Sequence, residues 1–191
     1  ARKLAFSVEA DRLTLVKRVY LDLLGLPPTP EQAEQFIRDE QPMAYELLVA
    51  PLRDSPHYGE RWGRHWLDVA GYADSEGYSN QDPVRPYSYK YRNYVIQAFN
   101  DDLPFDQFIQ EQLAGDELLE PPYQDLTPEQ ADRLIATGFL RMAPDGTGGS
   151  SADKELARNQ VVAEVIKVVS TSMLGLTVGC AQCHQHRYDP I

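Results

Sequence analysis

The tetrapeptide Thr-Pro-Glu-Gln occurs twice, at residues 29–32 and 127–130, each time just ahead of apolar positions at helical spacing. It constrains the local fold strongly. A threonine side chain can accept from the backbone three residues on, and a glutamine at that third position can reach back. The proline between them has its φ already set for a first helical turn. The flanks of the two copies do not match, so they are one capping solution reached twice and not an internal repeat.

The rest of the chain follows the same rhythm. From Asp11, apolar residues fall at Leu15, Val16, Val19, Tyr20, Leu23 and Leu24, and Gly25 then stops the helix before Pro27 and Pro28. Further helices are expected from Thr29, over 43–52, over about 59–72, over 87–99 with Tyr91, Tyr94, Val95, Ala98 and Phe99 inward, and over 103–116. The last two are expected over 127–140 and, through Val161, Val165, Val168, Val169 and Leu174, over about 153–178. A long polar loop fills 74–86 and a Gly/Ser loop fills 143–153. No alternating strand pattern is visible. The expectation is an all-α fold, one helical domain of seven to eight helices over residues 1–191.

Charge and hydropathy narrow the function. With 18 Lys+Arg against 29 Asp+Glu, the formal net charge of −11 offers no basic surface for nucleic acid or anionic lipid. It leaves room for a basic protein partner. Mean hydropathy is −0.46, and no apolar run reaches the roughly 18 residues of a membrane span. The first residues lack the apolar core of a secretory signal. The end at Ile191, just past a motif, suggests a piece of a longer chain.

That motif is Cys180-Ala181-Gln182-Cys183-His184, which holds both cysteines of the protein. Two thiols so close cannot close a long loop, so a disulfide scaffold is excluded. C-x-x-C-H is the attachment pattern of c-type haem. The two-residue spacer matches the porphyrin's two vinyl groups, and the adjacent His184 presents an imidazole to iron as an axial ligand. Gly179 would leave room for the macrocycle or serve as a helix C-cap. Zinc on Cys180, Cys183, His184 and His186 competes, although four ligands within seven residues spread poorly into a tetrahedron. A thioredoxin-like redox pair normally follows a βαβ pattern, and none is present.

The segments RVYLDLLGLPPTPEQ (18–32), SPHYGERWGRHWLDVAGYADSEGY (55–78), YRNYVIQAFNDDLPFDQFIQEQLAGDEL (91–118), ATGFLRMAP (136–144) and LGLTVGCAQCHQHRYDPI (174–191) together resemble the planctomycete cytochrome c-like domain family. These are modules of large secreted proteins. The resemblance implies covalent haem c on Cys180 and Cys183, export to the periplasm or beyond, and further domains on both sides. It names no reaction.

Candidates for the far side of the iron are His65, Met173 and His186, with His57 and Met142 as weaker ones. In RWGRHWLD, Arg61, His65, Asp68 and Tyr72 share one helix face, while Trp62, Trp66 and Val69 share the neighbouring apolar face. Trp62 and Trp66 would then wall an aromatic pocket, and Arg61 or Arg64 would pair a propionate. The alternative is a structural histidine bonded to Asp68 or to a backbone carbonyl. Asp74, Glu76, Asn80 and Asp82 offer oxygens to calcium but miss the EF-hand spacing. Tyrosines 87, 91 and 94, at helical spacing, read as core and interface aromatics.

Three functions remain in view. The first is an electron-transferring haem domain working with a redox partner protein or neighbouring domains. The second is a haem enzyme of peroxidase-like or oxidative activity, with His65 and Arg61 as its distal groups; no other catalytic residue is identified. The third is a non-redox helical module, with zinc or no metal at the motif.

Overall fold

The computed structural model describes residues 7–77, 82–147 and 154–186. Asn80 lies outside these. Eight α-helices occur among the described residues: α1 Arg12–Leu24, α2 Pro30–Arg38, α3 Ala44–Arg53, α4 Pro56–Ala70, α5 Ser88–Asn100, α6 Phe105–Ala114, α7 Pro128–Ala136 and α8 Lys154–Val169. The only extended pairing among them is an isolated bridge between Ser75 and Val84. The fold is all-α.

Both Thr-Pro-Glu-Gln segments form complete capping boxes. Thr29 accepts from Gln32 N at 3.3 Å while the Gln32 side chain accepts from Thr29 N at 2.8 Å. Thr127 and Gln130 repeat this at 3.3 and 3.0 Å. Asp11 caps α1 by accepting from Thr14 N at 2.9 Å, and Gly25 ends it in the left-handed region at φ +70°. α4 closes on Gly71 at φ +72°. There Tyr72 N returns to Leu67 O and Gly71 N to Asp68 O, the paired bonds of a Schellman ending.

Two helices are shorter than their apolar pattern predicts. α7 gives way to a 3₁₀ turn, Thr137–Arg141, as the Thr137 hydroxyl donates to Leu134 O at 2.7 Å. α8 ends at Val169 and not near Val178, passing into a π-type turn, Ser170–Leu174. Here the hydroxyls of Ser170 and Ser172 donate to Lys167 O and Val168 O at 3.0 and 2.7 Å. Such back-bonding competes with the helical ladder. Gly175, at φ +65°, then stops it. α4 starts three residues earlier than expected, because Pro56 takes the first helical position.

By internal contacts the chain divides into two compact units, Ala1–Trp62 and Gly63–Ile191, the division falling within α4. In the first, Val16, Val19, Tyr20, Phe36, Ala44 and Leu52 form the buried core. Arg12 covers it, its guanidinium 4.3 Å from the Phe36 ring centroid and bonded to Phe36 O. In the second, Trp66, Tyr91, Tyr94, Val95, Phe108 and Phe139 dominate the core, with Val168, Val169 and Met173 packed against it.

Candidate functional site

Gly175 ends the π-type turn, and three residues later the chain begins a 3₁₀ turn over Val178–Gln182 that carries the motif. Cys180 O accepts from both Cys183 N and His184 N at 3.4 Å, so the five motif residues wrap around one carbonyl. Both cysteines are free thiols and both are exposed. The His184 ring is exposed too, with Nδ1 3.1 Å from Gln185 O. With the proton on Nδ1, the ring donates to that carbonyl and Nε2 is left as the lone-pair nitrogen. His186 turns the other way, its Nε2 3.0 Å from the Thr177 hydroxyl.

Gly179 is not the helix C-cap but lies inside the motif turn. A side chain there would meet the Lys167 stem at 3.2–3.3 Å, so its bareness lets the motif turn pack against α8. The left-handed C-cap is Gly175.

Apolar surface lies uncovered nearby. Leu174 is 66% exposed, and Leu176 on the motif side and Val162 and Ile166 on α8 are exposed as well. Leu174 was expected inside the helix's apolar stripe. The early end of α8 turns it outward.

The helix around His65 splits the residues that the sequence grouped. Trp66 is 8% exposed and deep in the core. Its indole N–H donates to Tyr91 OH at 3.0 Å, and its ring meets Phe108 and Phe139 at 4.9 and 5.7 Å between centroids. Trp62 is 37% exposed, with its ring 6.2 Å from Tyr58. His65 is exposed. Arg64 is also exposed, its Nε 3.9 Å from Asp68. The Arg61 side chain lies along Gly25 and its Nε is buried. Met142 is core filling, and its carbonyl accepts from Arg85. His57 pairs with Glu60 at 2.8 Å on the surface.

Sequence reasoning missed a buried polar chain beside Trp66. Tyr91 OH donates onward to Gln112 Oε1 at 2.6 Å, and Tyr94 OH donates to Glu111 Oε2 at 2.8 Å. Burial pushes both phenols well above the ordinary tyrosine range, the Glu111 carboxylate adding to the effect at Tyr94. Both tyrosines sit on the expected inward face of α5, whereas Tyr87 is 70% exposed. Gln112 and Glu111 carried no signal, because polar residues on a helix read as surface until their partners are known.

The acidic loop is committed elsewhere. Asp74 accepts from Tyr72 OH and Ser88 Oγ, Glu76 pairs with Arg85 at 2.8 Å, and Asp82 accepts from Gly77 N. Among the described residues no three His, Cys, Asp or Glu side chains converge as a metal site would require, at this loop or at the motif.

A family model matches residues 1–191, the whole chain. The chain belongs to the PSCyt2 family. That family is described as a protein of unknown function, DUF1549. No curated protein and no solved structure matches this PSCyt2 chain. No helix of the described residues is long and apolar enough to cross a membrane.

Proposed function

We propose that this PSCyt2 chain is a c-type haem-binding domain that carries electrons within a larger exported redox protein. The observation that carries the reading is the single turn on which Cys180, Cys183 and His184 stand together, exposed and with neither thiol in a disulfide. The donor set suits the group. Cys180 and Cys183 would hold haem through thioether bonds, and His184 would face the iron through Nε2. Its other nitrogen is already anchored on Gln185 O, the kind of outer contact that fixes a ligand's tautomer and ring orientation. Exposed Leu174, Leu176, Val162 and Ile166 offer apolar surface that a macrocycle would cover.

When bound, such a haem supplies a one-electron Fe(III)/Fe(II) couple. The chain's own part is to hold it, orient His184 and set the surrounding charge. A net charge of −11 favours a basic redox partner, through steering and not through tight burial. Export follows from the attachment chemistry and from the resemblance to secreted cytochrome c-like modules. The sixth ligand is to be sought among His65, Met173 and His186. Met173 already packs on the aromatic core and His186 on Thr177.

The test is expression in a host that matures c-type cytochromes, followed by absorption spectra before and after denaturation. A Soret band retained by the denatured chain supports the reading. Its absence, or metal analysis finding zinc without iron, overturns it.

A further inference from the structure

Within the second unit, Glu76, residues 84–87, the first turn of α5 and the 134–142 segment line a cleft of about 450 Å³. Sites for small organic molecules fall in this size range. The floor is apolar: Tyr91, Leu134, Ile135 and Met142 line it. Tyr91 and Met142 are buried members of the aromatic core, so the floor is anchored.

The rim carries Glu76 with three cations, Arg85, Lys90 and Arg141. Arg85 is fully engaged: Nη1 donates to Met142 O at 3.1 Å, and Nη2 donates to Ala143 O and Glu76 Oε2, both at 2.8 Å. That pair neutralises itself and braces one wall. Lys90 and Arg141 remain. Lys90 makes no ion pair among the described residues, and its Nζ lies 5.3 Å from the centroid of the exposed Tyr87 ring. Arg141 is shared with Asp145 at 2.7 Å but is itself mostly exposed. α5 starts at the same mouth with no side-chain cap, and Asp74 accepts from Ser88 Oγ on its first turn at 3.2 Å. Of the three cations lining the mouth, Arg85 and Arg141 are each paired with a carboxylate, and Lys90 is set over the apolar floor with no such pair among the described residues.

We propose that the cleft binds an aromatic carboxylate. The ring would lie against Tyr91, Ile135 and Met142, and the carboxylate would be held by Lys90 and Arg141. No residue of α8 or of the motif turn lines the cleft, so the inference is independent of the haem reading.

Isothermal titration of the 191-residue chain with 2-naphthoate tests it, beside the neutral 2-naphthalenemethanol and the cationic 2-naphthylmethylammonium as probes of equal body. The expected result is saturable one-to-one binding of the carboxylate, at least tenfold weaker for the alcohol and absent for the ammonium. Lys90→Glu and Arg141→Glu should each weaken naphthoate at least tenfold with unchanged circular dichroism. Leu134→Trp should block the naphthoate and the alcohol by filling the cleft. If Leu134→Trp does not fold, the probe series and the two surface variants decide alone. No saturable naphthoate binding, equal affinity for the three probes, or indifference to Lys90→Glu overturns the proposal.

Discussion

Trp66 and the Cys180–His184 turn both promised chemistry in the sequence, and the fold treats them in opposite ways. Trp66 is enclosed by Tyr91, Phe108 and Phe139, and its one polar atom is bonded. The motif turn is exposed, rests on α8 through a bare glycine and has uncovered leucines beside it. Satisfied groups with no room beside them stabilise the fold. Exposed nucleophiles next to uncovered apolar surface are what a bound group would use. Trp66 therefore stabilises the fold, and the functional proposal rests on the terminal turn.

The sharpest way to break this division is at the cysteines. Replacing Cys180 and Cys183 together by alanine should abolish all haem retained after denaturation. Because both are exposed, the urea midpoint of the unliganded chain should move by no more than about 0.5 kcal/mol equivalent. A large loss of stability would mean that the turn is structural after all.

Trp66→Ala is the opposite case. It should cost roughly 3–5 kcal/mol in urea unfolding, from the cavity and the lost bond to the Tyr91 hydroxyl oxygen together. Trp66→Phe should recover part of that loss. If Trp66→Ala were as stable as the parent and changed only a haem spectrum, Trp66 would be a pocket wall and not a core residue.

Gly175→Ala probes the joint between the two regions. At φ +65° it should cost about 1 kcal/mol, read from the urea midpoint. The same substitution at Gly179 should act differently, since its obstacle is the Lys167 stem and not a left-handed backbone. Gly179→Ala, Lys167→Ala should then approach wild-type stability.

The smallest effects are in pH dependence. Hydrogen bonds from Tyr72 and Ser88 hold the Asp74 carboxyl below its ordinary range. Its contribution is therefore present above the unfolded pKa and lost as pH falls through the folded one. Asp74→Asn should flatten the acid limb of a Tm–pH curve. Asp132 has the reverse sign: burial, then the neighbouring Glu111, Glu129 and Asp101, raise its pKa. Native chain then binds the extra proton, so stability falls as pH rises from the ordinary carboxylate value through the raised one. Asp132→Asn should raise Tm above that window and leave it nearly unchanged below. Equal slopes in the variants and the parent would refute both assignments.

What was legible in the sequence was local. The capping boxes at Thr29 and Thr127, the glycine stop at Gly25 and the inward face of α5 depend on residues within one or two turns of each other, and short-range hydrogen bonds and the 3.6-residue period suffice to place them. The C-x-x-C-H spacing is local too, which is why the same residues remain the candidate site. Tertiary structure decided what depends on distant partners. Trp62 and Trp66 look alike on the helix, yet only Trp66 meets Phe108 and Phe139, more than forty residues away. Glu111 and Gln112 became interior only because Tyr94 and Tyr91 reach them. α8 stopped short of its apolar pattern because three consecutive hydroxyl residues and one glycine outweighed it. A chain's own neighbours fix helices and turns. Which side of a helix is satisfied, and which is left open for a ligand, is settled only when distant elements pack against it.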